Sequence, residues 1–269
     1  MQIGAILSPI IDARAVVEGA RAAERAGLDA VGLWDHYHSP RPEWGYVAGW
    51  SMLGAIARAT ERVKLVPMVL NNLHHDLGVL AKESSTLALV SGGRFELGLG
   101  AGDWPASYPP WGRPFPPAED RLGRMAESIV ALRRLWTGDP VRMDGRWVHL
   151  EEAISTPRPP EAPRVVVGVG GSRRTLGVAR EFADELDELN VYDGPGLIEE
   201  AGTVTRSDGS RPSVSVFLSW EWDKWPADPV AELRALEERG ATRVFVSLGA
   251  ELPEMVERIS ALASTMIAA

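Results

Sequence analysis

Residues 12–34 read DARAVVEGARAAERAGLDAVGLW. They spell one helix running into one strand. Asp12 supplies a carboxylate for the free amides at a helix start. Val16, Ala20 and Ala23 recur at helical spacing, which lays an apolar face along the segment. Gly27 falls just past the last helical residue, where a left-handed backbone ends a helix. The apolar run 30–34 then reads as a short strand. Glu238-Arg239-Gly240, followed by a run from Thr242, repeats the pattern near the other end of the chain. Each is the second half of a βαβ unit.

Outward from that unit the alternation continues. Strand-like runs fall at 2–8, 30–34, 63–70, 94–99, 164–169, 187–192, 213–219 and 242–248. They are rich in Val, Ile, Leu and Phe, as strands buried on both faces must be. Eight such runs alternating with helices over ~250 residues are the arithmetic of a (β/α)₈ TIM barrel. A doubly wound open sheet is the alternative. The dinucleotide fingerprint G-x-G-x-x-G does not support it, because the third glycine is replaced by Asp103 after Gly98 and Gly100 and by Arg173 after Gly168 and Gly170.

Two stretches interrupt the rhythm. Residues 103–118 (DWPASYPPWGRPFPPA) hold six prolines, which predicts neither helix nor central strand there. They form an excursion after strand four, at the catalytic face of a barrel. Residues 141–149 read as a hairpin turning at Asp144-Gly145. Both belong to one domain spanning 1–269.

Composition excludes several classes. The 269 residues contain no cysteine, and 28 basic against 37 acidic residues give a net charge of −9. Disulfides, thiolate nucleophiles and Cys-ligated metals are out. The charge argues against a nucleic-acid or anionic-membrane binder. The N-terminus has no basic leader, and no apolar run approaches the ~18 residues of a membrane span. A cytoplasmic protein with a small-molecule substrate is the expectation.

Polar residues gather where strands end. Strand two runs into Trp34-Asp35-His36-Tyr37-His38, and imidazole is the common proton carrier near neutral pH. Strand three ends in Leu70-Asn71-Asn72-Leu73-His74-His75. Strand four ends in Gly98-Leu99-Gly100-Ala101-Gly102, where missing Cβ atoms let a flat ligand or another backbone come close. Strand five ends in Gly168-Val169-Gly170-Gly171-Ser172-Arg173-Arg174-Thr175 at a helix start. Free amides, hydroxyls and guanidiniums there make a phosphate site, or else a plain N-cap by Ser172. His36, His38, His74 and His75 raise a metal hydrolase, but strands five to eight add no histidine, and no metal site is assigned. Trp34, Trp104, Trp111, Trp220 and Trp222 fall near strand ends or in the excursion and could line an apolar pocket, whereas Trp136 reads as core.

These segments resemble, in order, the bacterial luciferase-like monooxygenase superfamily of flavin- and F420-dependent oxidoreductases. The resemblance is carried by residues 26–36, Arg62-Val63-Lys64-Leu65, Leu80-Ala81-Lys82-Glu83 and Ser91-Gly92-Gly93-Arg94-Phe95-Glu96 running on to Gly102. It continues through Arg121, Glu127, Leu135-Trp136, Gly170-Gly171-Ser172 and Ala183-Asp184. It departs where the family's Arg-His-Pro becomes His75-Asp76-Leu77, and where Asp103 precedes Trp104.

The resemblance implies a luciferase-like barrel with its cofactor ring at the C-terminal mouth. His36, with Asp35, would be catalytic. Leu70 and Asn71 would back the ring, near a strained peptide bond. Gly100, Ala101 and Gly102 would flank the ribityl chain, and Gly170, Gly171, Ser172 and Thr175 would hold the phosphate. The Asp-His pair looks like the F420 branch, which moves a hydride between the deazaflavin ring and a small organic substrate. The alternatives are an FMN-dependent two-component monooxygenase using reduced flavin and O₂, and a non-catalytic cofactor-binding relative. A separate flavin or F420 reductase and a homodimer are further family expectations.

Overall fold

Consecutive β-branched residues make the barrel wall. Val165-Val166-Val167 is buried on both sides: Val166 turns inward, and Val165 and Val167 turn out beneath the helices. Alternation of period two sorts the other strands the same way. Ile6, Ala30, Val66, Met68, Val166, Phe217 and Phe245 pack together inside the ring, while the larger core lies between strands and helices.

The computed structural model describes residues 1–8, 12–39, 41, 43, 45–170, 173–189, 198, 200, 203, 205, 209–220, 224–249 and 252–268. Its strands are β1 (Gln2–Ile6), β2 (Ala30–Leu33), β3 (Lys64–Pro67), β4 (Leu70–Asn71), β5 (Leu97–Gly100), β6 (Val141–Asp144), β7 (His149–Ala153), β8 (Val165–Gly168), β9 (Glu185–Leu189), β10 (Ser213–Ser219) and β11 (Arg243–Ser247). The helices are α1 (Ala13–Ala26), α2 (Gly49–Ala59), α3 (Leu77–Val90), α4 (Ala118–Leu135), α5 (Arg173–Phe182), α6 (Pro229–Glu238) and α7 (Leu252–Ala268).

The parallel sheet runs β3-β2-β1-β11-β10-β9-β8-β5-β4. β3 and β4 are two halves of one broken strand. Leu65 of β3 exchanges backbone hydrogen bonds with the segment before β5, donating to Arg94 O and accepting from Glu96 N, each at 3.0 Å. That contact closes a ring of eight parallel strands, as the sequence pattern predicts. α1 is capped by Asp12, whose side chain accepts from Arg14 N, and ends on Gly27 at φ 86°. Gly240, at φ 108°, follows α6. β6 and β7 form the expected antiparallel hairpin, with β7 running on to Ala153.

Three sequence expectations are corrected. Strand three, read as 63–70, breaks after Pro67 and resumes at Leu70. Strand six, read as 187–192, begins at Glu185, because buried Glu185 and Asp187 face into the ring and disguise the apolar pattern; residues 190–192 lie outside the described residues. The excursion, expected to lack helix, contains single 3₁₀ turns at Pro105–Ser107 and Pro109–Trp111. A proline at the first position of a turn surrenders no hydrogen bond, so proline starts these turns instead of preventing them.

Charge seals the N-terminal end of the ring. Arg243, 2% exposed, donates to Glu185 Oε1 at 2.9 and 2.7 Å and to Glu96 Oε2 at 2.7 Å. Burial opposes its charge, but the two carboxylates outweigh burial and hold the guanidinium pKa above its ordinary value. Arg164 adds a bond to Glu185 Oε2 at 3.1 Å. The network ties β5, β8, β9 and β11 across the floor. Arg243→Ala should therefore lower unfolding free energy by ~3–5 kcal/mol, the usual consequence of stranding buried charge. Urea titration checks this, and a loss below ~1 kcal/mol would show that the network contributes no more than a surface pair.

Candidate active site

A cavity of about 630 Å³ opens at the C-terminal mouth of the ring, within the range of small-molecule and cofactor sites. Its floor is made by the break in strand three. The Met68–Val69 peptide is cis, and both residues line the cavity. Glycines on the neighbouring strands make room for this turn. A Cβ on Gly98 would stand 1.7 Å from Pro67 O. A Cβ on Gly100 would stand 2.6 Å from Val69 Cγ2, and one on Gly168 would stand 3.1 Å from the same methyl. Val69 is thus seated between bare backbones of β5 and β8, with its side chain forming a ledge in the mouth.

The sequence-predicted residues divide around this ledge. Leu70 is corrected: its side chain is fully buried in the outer core and does not line the cavity, because the break moves the inward position to Val69. Asn71 does line it. Its side chain donates to Tyr108 Oη at 2.6 Å and accepts from Leu73 N at 3.0 Å. Gly100, Ala101 and Gly102 line the adjoining wall. Gly102 sits at φ 88°, and a Cβ there would meet Tyr108 Oη at 2.7 Å.

Asp35 and His36 follow one another on extended chain and turn to different tasks. The buried Asp35 carboxylate accepts from Asn71 N at 3.0 Å and bonds His75 Nε2 at 2.8 Å. It joins the ends of strands two and three, and makes no hydrogen bond to His36. Expected as a partner of His36, Asp35 is instead committed to its neighbours on strand three. His36 lines the cavity. Its ring lies 6.3 Å from Trp34, 5.6 Å from Tyr46 and 5.9 Å from Trp104, centroid to centroid. Among the described residues nothing hydrogen-bonds its nitrogens, so the imidazole is held by aromatic walls and free to meet a ligand.

The other histidines are used in the protein. Tyr37 stacks on His74 at 4.4 Å, and burial, with Asp35 and Glu83 nearby, pushes the phenol up to about 12. Burial also holds the His74 imidazole below its ordinary value, with Asp35 opposing. Among the described residues no three of His, Cys, Asp and Glu converge for a metal. Of the tryptophans, Trp34 lines the cavity, Trp111 is exposed, and Trp220 and Trp136 are core. Trp136 Nε1 donates to Ser84 Oγ at 2.9 Å. Trp222 lies outside the described residues.

The start of α5 contributes another part of the wall. Gly170, at φ 57°, has nothing within 4 Å of where a Cβ would stand. Thr175, in the first turn of α5, lines the cavity with Arg174. Gly171 and Ser172, also predicted there, lie outside the described residues. Val69, Asp187 and Phe217 are among the lining residues that escaped the sequence reading. Val69 was hidden inside an apolar run. Asp187, which accepts from Ser215 Oγ at 2.9 Å, was misplaced with the register of strand six. Phe217 looked like core, and an inward-facing aromatic near a strand's C-terminal end was the available signal.

The fold and cavity define a TIM-barrel mouth lined by a ledge at Val69, glycines of β5 and β8 and the start of α5. Residues 1–186 match the family described as luciferase-like monooxygenase, and the chain belongs to that family. An F420-dependent glucose-6-phosphate dehydrogenase from Beutenbergia cavernae is 35% identical over 255 residues, covering 88% of this chain and 73% of that one. A protein of the same name from Amycolatopsis mediterranei is 35% identical over 161 residues, covering 59% of this chain. The match spans 48% of that relative, about half its length. The F420-dependent tetrahydromethanopterin reductase of Methanopyrus kandleri superposes with a TM-score of 0.80 at 18% identity, covering 99% of this chain and 98% of that one. It shares the fold.

His74 gives a titration test. Its folded-state pKa lies below the unfolded value, so the unfolded chain binds the extra proton. Its contribution to stability is present above ~6.5 and is lost as pH falls through that range. NMR titration of the ring should give a His74 midpoint below ~6.5, and a midpoint above it would contradict the burial assigned here.

Proposed function

We propose that this chain is an F420-dependent oxidoreductase that transfers a hydride between the deazaflavin ring and a small organic alcohol or its carbonyl product. The observation that carries the reading is the pairing, in one cavity, of a His36 imidazole that has no hydrogen-bond partner among the described residues with the Val69 ledge and with Gly170, Arg174 and Thr175 at the start of α5. Relatives named for F420 at 35% identity support the cofactor.

Residues present fit the cofactor. Val69 and Asn71 would back the ring, and Gly100, Ala101 and Gly102 would flank the ribityl chain. Gly170, Gly171, Ser172 and Thr175, with Arg174, would hold the phosphate. F420, when bound, supplies the carbon that gives or takes the hydride. His36 takes the proton from the substrate hydroxyl as the carbonyl forms, or returns it in reverse. Trp34, Tyr46 and Trp104 fix the imidazole and exclude water beside it. Asp35 acts by position, holding Asn71 and His75. In this reading the protein works as a homodimer in the cytoplasm, with a separate reductase returning the cofactor.

Parallel fluorescence titrations should show F420 binding more tightly than FMN. His36→Ala should cut alcohol-dependent F420 reduction by ~10²–10⁴ while leaving F420 affinity unchanged. Tight binding of FMN alone would turn the reading to the two-component monooxygenase. Binding of neither would leave a non-catalytic relative, and full turnover in the variant would remove His36 from the chemistry.

A further inference from the structure

Relatives at 35% identity are named for glucose 6-phosphate, a doubly charged substrate. This chain's cavity carries a different charge balance. Among the described residues two cations line it, Arg121 and Arg174. Arg121 is committed: it donates to Gly102 O, and to Pro116 O at 3.1 Å, and lies 4.1 Å over the Phe115 ring. Arg174 makes no ion pair among the described residues. It stands with Gly170 and Thr175, where one anionic group already has its place in the proposed function.

The remaining cations of the mouth are outside the lining. Arg173 pairs with Glu200 at 3.4 Å, and Arg113 donates to Leu73 O. Arg41 and Lys224 do not line the cavity. Carboxylates do: Asp35, Asp103 and Asp187. Asp103 is exposed in the cavity wall with no partner among the described residues.

Among the described residues, a substrate phosphate would thus face carboxylates with no second guanidinium or ammonium in the lining to meet it. A hydroxyl fares differently, since it brings no charge for Asp103 to repel and His36 can accept from it. The walls around them, Trp34, Met68, Val69, Phe115 and Phe217, suit an apolar or aromatic body. From this we infer that the substrate is an uncharged alcohol or ketone with an apolar or aromatic flank, and that sugar phosphates and other anions are excluded. Resting on the proposed function, this inference assigns that site its substrate class. Asp103 is the specificity-determining residue: its charge, unneutralised, is what an anionic ligand meets.

The test is a matched pair. 1-Phenylethanol and 4-(1-hydroxyethyl)benzoate carry the same secondary alcohol and ring and differ by one carboxylate. Each is titrated by calorimetry into the protein, with and without F420, beside glucose 6-phosphate. The neutral alcohol should bind at least ~10-fold more tightly than either anion, the scale of a like-charge contact at a partly exposed site. Asp103→Asn should recover most of that gap for the benzoate, with a far smaller change for 1-phenylethanol, so that the ratio of the two affinities closes. Equal or tighter binding of an anion, or no binding of the neutral alcohol, would overturn the assignment, as would an unchanged gap in Asp103→Asn. Failure of F420 to bind would instead strike the proposed function, while the ranking of alcohol over anions in the cofactor-free protein would still be read.

Discussion

The carbonyl of Pro67 lies where Gly98 would carry its Cβ, and the site depends on that vacancy. A substituent there would stand 1.7 Å from the oxygen, and because both partners are backbone, neither can swing aside. Gly100 and Gly168 continue the same accommodation around the Val69 side chain. Strand three can therefore break at the mouth of the ring and put Val69 into the cavity, while β3 and β4 stay paired to their neighbours. The alternate glycines of β5 had two readings from sequence, room for a ligand or room for a backbone. At Gly98 the visitor is the backbone of strand three; at Gly100 it is a side chain carried by that backbone.

Charge is arranged along the barrel axis. At the floor, carboxylates of β9 and of the segment before β5 are matched by Arg243 and fully used. At the mouth, Asp35 is used by His75 and the Asn71 amide, which fixes the ends of strands two and three. Among the described residues that leaves His36 without a hydrogen-bonding partner and Asp103 without a counterion. A group bound firmly by its neighbours shapes the site, and the groups left over meet the ligand. In the proposed function that rule makes Asp35 a positioning residue and His36 the chemical one, though they are adjacent in sequence.

Much of the fold was legible because one constraint repeats. Strands buried on both faces must be apolar throughout, and helices must end before they feed a strand, so Asp12, Gly27 and Gly240 announced their elements. The errors fall where the barrel interior is polar or interrupted. Glu185 and Asp187 break the apolar run of strand six because they serve the floor and the mouth. Val69 is chemically indistinguishable from its core neighbours, and nothing local marks the break that turns it inward and Leu70 outward. Of the cavity lining, His36, Gly170 and Thr175 were visible as polar or glycine-rich strand ends. The division of labour between Asp35 and His36 was not, since it depends on where strand three ends in space.

The most direct measurement is a crystal structure of the chain with F420 bound. The deazaflavin ring should lie against Val69 with His36 beside its reacting edge, and the phosphate should sit at the start of α5 near Gly170 and Thr175. A ring placed away from Val69, or a phosphate held elsewhere in the mouth, would contradict the account.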